Sequence, residues 1–309
     1  MKIIFTGSGK FGAPTLRALI GSGHDIVQVV SQPDRPAGRG RGLTPTPISQ
    51  IALDAKLPLL RTDNINDQVL GPADVMVVIA FGQKVAEAVV NHPRLGSINL
   101  HASRLPKYRG AAPINWAIID GEPVTGNSVI RLAQKMDAGA ILGQSEIAIG
   151  ATETAGELHD RLAVDGVALT LKVLADLESG TVIETPQDHA KATVAPKLSR
   201  ASAKLDFTQT AAELSRRIRG LYPWPGCRVK MVDAAGGEIT KLRLVRAVAG
   251  PTEGPRWETG EIMIDGKIQT GDGGVEILEL QPDGRNVMSM QDYRRGHKWP
   301  PGARLVGTE

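Results

Sequence analysis

Asn99 and His101 are the first residues whose types and spacing could do chemistry together. They lie two apart in INLHASRLPKYRGAAP, Ile98 to Pro113. The opening of this stretch reads as a strand, so both side chains point to one face, near its carboxyl end. An amide and an imidazole aimed at one point offer two hydrogen-bond donors, which suits an oxygen acquiring negative charge. Ser103 to Gly110 then contains Pro106, Arg109 and Gly110 and reads as a loop, because that sequence does not sustain a helix. Farther along, Asp137 sits in KMDAGA, a glycine-containing turn between two apolar runs. It either stabilises its own turn or, beside a histidine, favours the imidazolium and fixes the ring. Taken singly, His101 also reads as a hydrogen-bonded structural histidine and Asn99 as a turn residue.

A different chemistry is suggested by FTGSGKFGAP, Phe5 to Pro14. Gly7, Gly9 and Gly12 have the spacing of a dinucleotide-binding turn between a strand and a helix, and Asp34 is a candidate for the acidic partner of a ribose. Against this, Pro33, Pro36, Pro45 and Pro47, with Gly38, Gly40 and Gly42, forbid the helix that should follow the second strand promptly. A Walker-type phosphate loop is excluded, since Phe11 follows Lys10 and no glycine sits five residues before Gly9.

Positioning such residues needs a scaffold. Apolar runs at Ile3–Thr6, Ile26–Val30, Asp74–Phe81 and Ser97–His101, with others near Asn127–Leu132 and Ala140–Ala148, alternate with helical stretches at Phe11–Ile20, Ile48–Lys56 and Lys84–Asn91. Val75 to Ala80 is apolar without alternation, as in a strand covered on both faces. The pattern predicts an α/β fold with a Rossmann-like, mainly parallel sheet. A long helix starts at Thr154, with Glu157 completing a capping box and Leu158, Leu162, Leu169, Val173 and Leu177 near one face. Gly180 to Lys204 is polar, contains Pro186 and Pro196, and reads as a linker. A second capping box, Thr210 to Glu213, opens a helix to Leu221. Strand-like runs follow at Arg228–Val232, Lys241–Ala247, Glu261–Ile264 and Val275–Leu280, separated by glycine turns, and predict a small, OB-like β-barrel. The expected division is a catalytic domain over 1–185, a linker over 186–204 and a barrel over 205–309.

The 309 residues carry 36 Lys and Arg against 33 Asp and Glu, a net +3 too mild to announce nucleic acid. Local clustering says more. Between residues 214 and 250, Arg216, Arg217, Arg219, Arg228, Lys230, Lys241, Arg243 and Arg246 face only Asp233 and Glu238. That excess suggests a phosphate-tracking face, although the same residues would also serve as ordinary helix and strand exteriors. Cys227 is the only cysteine, which excludes a disulfide within the chain and a cysteine-based zinc site. Neither a signal sequence nor a membrane-length apolar run is apparent, so the expected location is the cytoplasm.

Asn99-x-His101, Ser103-x-Leu105-Pro106-x-x-Arg109-Gly110 and Asp137-x-Gly139 resemble the formyltransferases that use 10-formyltetrahydrofolate. QPDRPAGRGRGL (Gln32 to Leu43), YPWPG (Tyr222 to Gly226) and LQPDGRNVMSMQD (Leu280 to Asp292) are similar to the branch of that family acting on methionyl-tRNA, and the resemblance covers essentially the whole chain. It implies Asn99, His101 and Asp137 as catalytic residues, and Ser103, Arg104, Leu105 and Pro106 as the loop against the folate. It also implies Arg35, Arg39 and Arg41 as contacts to the acceptor stem of initiator methionyl-tRNA. No metal, membrane or obligate protein partner is implied. Three positions depart from the family pattern: Gly7-Ser8-Gly9 stands where Gly-Thr-Pro is common, Ala102 replaces a usual Gly, and Arg104 a usual Leu. The first departure makes the dinucleotide look-alike, so Gly7 to Gly12 reads as a structural turn near the acceptor end of the substrate. A formyltransferase for nucleotide-sugar amines, a hydrolase releasing formate from the same folate, an NAD dehydrogenase and a non-catalytic RNA-binding module are the competing readings.

Overall fold

The computed structural model describes residues 1–37, 42–252 and 257–308. The chain forms two compact units, one of Met1–Gly110, Thr125–Ile147 and His159–Val194, the other of Ala111–Val124, Ala148–Leu158 and Ala195–Glu309. Two inner segments thus group with the second unit and not with their sequence neighbours.

In the first unit the apolar runs become strands β1 (Lys2–Gly7), β2 (Asp25–Ser31), β3 (Leu59–Arg61), β4 (Val75–Ile79), β5 (Ser97–His101), β6 (Ser128–Arg131) and β7 (Ile141–Gln144). They form one seven-stranded sheet in the order β7-β6-β5-β4-β1-β2-β3. Pairings among β1 to β5 are parallel, whereas β6 and β7 join antiparallel. Strand order reverses beside β1, the arrangement that opens a crevice outside the carboxyl ends of the strands. All of β4 and the Ile3-Ile4-Phe5 run are buried, which is why these segments lack polar alternation.

Helix α1 (Ala13–Ile20) follows β1, and α2 (Pro47–Asp54) is capped by the Thr46 hydroxyl accepting from the Ser49 N–H at 3.0 Å. The long helix α3 (Ala155–Ser179) packs on the Leu100 side of β5: a Cβ at Gly166 would lie 2.6 Å from Leu100 Cδ2. Alternation then leaves Asn99 and His101 on the opposite face. The helix expected over Lys84–Asn91 is only Glu87–Val90. Gln83 bonds the Ile65 N–H and the Thr62 carbonyl, and Asn66 bonds the Lys84 carbonyl and the Ala86 N–H, which holds residues 83–86 out of helix.

In the second unit, α4 (Ala211–Gly220) begins with the reciprocal Thr210–Glu213 capping box. Strands β8 (Cys227–Val232), β9 (Glu238–Gly250), β10 (Ile268–Gln269), β11 (Gly274–Pro282) and β13 (Arg304–Thr308) run in the order β10-β11-β9-β8-β13, with β12 (Met288–Ser289) paired to β11 and helix α5 (Met290–Gly296) following it. The segment expected as a strand at Glu261–Ile264 makes two isolated bridges, Glu261 to Arg304 and Ile262 to Ile268. Those bridges span the two sheet edges and nearly close the barrel around Leu214, Ile218, Val229, Leu244, Ile277 and Tyr293. Among the described residues no helix is long and apolar enough to cross a membrane.

Candidate active site

His101 ends β5, only 7% exposed, and its Nε2 lies 2.9 Å from the Tyr108 carbonyl oxygen. A carbonyl only accepts, so Nε2 carries a proton and donates. Nδ1 is left facing Asp137, whose Oδ1 is 3.7 Å away. That separation is too long for a hydrogen bond and short enough for charge attraction. Asn99 projects from the same face of β5, half-buried, and its amide makes no hydrogen bond with any described residue. An amide donor, a ring nitrogen and a carboxylate therefore gather at one strand end: an arrangement able to hold or pass a proton and, with the ring protonated at Nδ1 as well, to hold a negative oxygen.

Asp137 is fixed from several sides. Its backbone has φ +51°, uncommon for a residue with a side chain. Its Oδ2 accepts from the Gly110 N–H at 2.9 Å. Two residues on, Gly139 presses on β6: a Cβ there would come 1.9 Å from the Arg131 carbonyl oxygen, so only glycine fits.

The loop after His101 is built around Ser128, which sequence reasoning missed. Its hydroxyl donates to the Ser103 carbonyl at 2.6 Å and accepts from the Leu105 N–H at 3.0 Å and Gln144 Nε2 at 2.8 Å. The Ser103 hydroxyl donates to the Lys107 carbonyl at 2.7 Å. Ser103 and Leu105 are buried and shape the loop, Pro106 is half-buried, and Arg104 is exposed and ion-paired with Glu146.

The glycine turn is engaged differently from a pyrophosphate cradle. The Ser8 and Gly9 N–H groups both donate to the Ala80 carbonyl, at 3.3 and 3.2 Å. Asp34 pairs with Arg61 at 2.9 Å. Arg35 is exposed, its Nη2 donating to Gln32 Oε1 at 3.0 Å. Arg39 and Arg41 lie outside the described residues.

The basic cluster of the second unit divides. Arg216, Arg217 and Arg219 donate to the carbonyls of Ile119, Ser202 and Glu153, and Arg246 pairs with Glu157 and Glu279. These four hold the unit together, contrary to a phosphate-tracking face made of all eight. Arg228, Lys230, Lys241 and Arg243 instead line one open cleft of about 400 Å³ on the barrel. Cys227 is buried, and desolvation pushes its thiol up to about 12, so it stays protonated and unreactive.

A sequence model of the formyl transferase family matches residues 1–174, and one of the formyl transferase C-terminal domain matches residues 197–298. The chain belongs to the formyl transferase family. This formyltransferase is 42% identical to a relative from Acidobacterium capsulatum named methionyl-tRNA formyltransferase, over 99% of both chains. A relative of the same name from Methylococcus capsulatus is 38% identical, over 96% of this chain and 97% of its own. Among solved structures, the sugar 3N-formyltransferase WlaRD, described in the presence of dTDP and 5-N-formyl-THF, matches with a TM-score of 0.65 at 17% identity, over 93% of this chain and 99% of its own. HypX from Aquifex aeolicus, in complex with tetrahydrofolic acid, matches with a TM-score of 0.59 at 18% identity, over 97% of this chain and 47% of its own. Like the family, this formyltransferase is a one-carbon transferase.

Proposed function

We propose that this formyltransferase moves the formyl group of 10-formyltetrahydrofolate to the α-amino group of methionine on initiator methionyl-tRNA, giving N-formylmethionyl-tRNA for translation initiation in the cytoplasm. The observation that carries the reading is Asn99 and His101 on one face of a strand end with the Asp137 carboxylate 3.7 Å from the ring, in a chain related along its whole length to enzymes of that name. Residues 1–185 carry the chemistry in this reading and residues 205–309 hold RNA.

The acceptor supplies its own nucleophile. A free α-amino group titrates at about 7.7–8.0 and an aminoacyl ester lower, so neutral amine is present at neutral pH. As its lone pair bonds the formyl carbon, the carbonyl π pair moves onto oxygen, and Asn99 with the Nδ1–H of His101 would hold that oxygen. Asp137 stabilises the ring's positive charge and, directly or through water, helps carry the amine proton towards N10 of the folate as the C–N bond breaks. Ser103 and Leu105 shape the folate loop, Arg104 and Pro106 border the folate, and Arg35, Arg39 and Arg41 contact the acceptor stem.

Incubating the purified chain with charged initiator tRNA and 10-formyltetrahydrofolate should yield N-formylmethionine after ester hydrolysis. His101→Ala and Asp137→Asn should abolish turnover while the chain still binds tRNA. Near-normal turnover in both variants, or formate as the only product, rules the reading out.

A further inference from the structure

Gln187 lies in the stretch that sequence reading treats as a linker, yet it is 7% exposed and all its side-chain polar capacity faces the site. Its Nε2 donates to the carbonyls of Asp137 at 2.8 Å and Gly139 at 2.7 Å. Its Oε1 accepts from Arg109 Nε at 3.1 Å and Nη2 at 2.6 Å. Arg109, equally buried, also meets His189 Nδ1 at 2.9 Å, and its backbone N–H donates to the Thr193 carbonyl at 2.9 Å. The residue after Arg109 is Gly110, whose N–H holds the Asp137 carboxylate. One side chain therefore ties the backbone on both sides of Ala138 to the Arg109–Gly110 segment that grips the carboxylate of Asp137.

The geometry points to Gln187, braced by Arg109, as a positioning residue that sets the Asp137 carboxylate against His101 Nδ1. A residue at φ +51° persists only where its surroundings over-determine it. Here the restraints are the two Gln187 donors, the Gly110 N–H and the tight seat of Gly139. Remove the donors and the turn is free to relax, carrying the carboxylate away from the ring. The amide is suited to this where a carboxylate is not, because the Asp137 and Gly139 carbonyls need donors while Arg109 needs an acceptor. The inference rests on the proposed formyl transfer, but the clamp can be read without it.

Two variants of the full chain test it. Gln187→Met keeps length and bulk without either function, and Gln187→Glu keeps the acceptor for Arg109 while removing the donors. Both should lower kcat by about 10- to 100-fold, as sub-ångström misplacement of a reacting group does, with KM for tRNA and folate unchanged. In both, the Gly110 amide proton should lose protection from hydrogen exchange as its acceptor moves. Wild-type kcat and an unchanged Gly110 amide in the folded variants overturn the proposal. So does loss of folding in both, which would make Gln187 a stability residue. If the native chain fails to formylate methionyl-tRNA, the functional reading falls, and the Gly110 amide still decides the clamp.

Discussion

The two ring nitrogens of His101 have separate duties. Nε2 is committed to the Tyr108 carbonyl at 2.9 Å, a bond that ties β5 to its following loop, while Nδ1 faces Asp137. A glutamine at this position can return a donor to the Nε2 location but places nothing at Nδ1. His101→Gln should therefore keep the loop and the thermal midpoint of the native chain. Its kcat should still fall by about 100- to 1000-fold, the usual effect of removing one oxyanion donor. A variant retaining most of its turnover would assign the chemistry away from Nδ1. Asn99 and His101 were legible in the sequence because a two-residue spacing on a strand fixes a common face whatever the rest of the fold does. Gln187 was not: its partners are 48, 50 and 78 residues away, and only the tertiary path of 180–194 brings them into reach. Ser128 escaped notice for the same reason, being one hydroxyl on a strand that read only as apolar.

At the level of elements, the two helix starts that carry capping boxes were legible to the residue, because that chemistry is local. Thr154 and Glu157 form one of the two expected: the Glu157 carboxylate accepts from the Thr154 N–H at 2.9 Å, and the Thr154 hydroxyl from the Glu157 N–H at 3.4 Å. The sequence did not reveal that Arg246, far along the chain, joins this cap at 2.6 Å. Its hydrogen bond, followed by those of Thr154, holds the Glu157 carboxyl down at about 2, against 4.5 ordinarily. A carboxyl depressed in the folded state contributes stability in full above its unfolded value, and that stability is lost as pH falls through the folded value. The window here runs from pH 4.5 down to about 2. The unscreened linkage is about 3 kcal/mol, but Glu157 is 48% exposed, and solvent screening reduces the contribution to about 1 kcal/mol. Glu157→Gln should thus lower the melting midpoint by about 2 °C near neutrality, with the difference from the native chain closing below pH 4. A pH-independent difference would mean that the charge of Glu157 adds nothing. Where local chemistry gave way to distant partners, element bounds were misjudged: Lys84–Asn91 shrank to one turn, and Glu261–Ile264 became two bridges that nearly close a barrel.

For the whole molecule, a net charge of +3 says little, and the placement of charge within the second unit says more. The antiparallel register sets Arg228 opposite Arg243 and Lys230 opposite Lys241, and like charges directly opposed weaken a sheet pair. Most of that repulsion is offset nearby. Glu238 lies 3.2 Å from Lys230 and 3.6 Å from Lys241, and Arg243 sits over the Tyr222 ring at 5.4 Å. Arg228 is exposed and has no acidic partner among the described residues, so its positive charge remains available to a ligand. For the tRNA substrate proposed above that ligand is backbone phosphate, and the contact should be sequence-independent and salt-sensitive. Arg228→Ala is then expected to weaken tRNA binding at low salt, and to reduce the slope of log affinity against log salt by up to about 0.9, the share of one phosphate contact. The same change removes a cross-strand repulsion, so the melting midpoint should hold or rise, which separates loss of a contact from loss of fold. An unaltered salt slope would place the RNA elsewhere than this cleft.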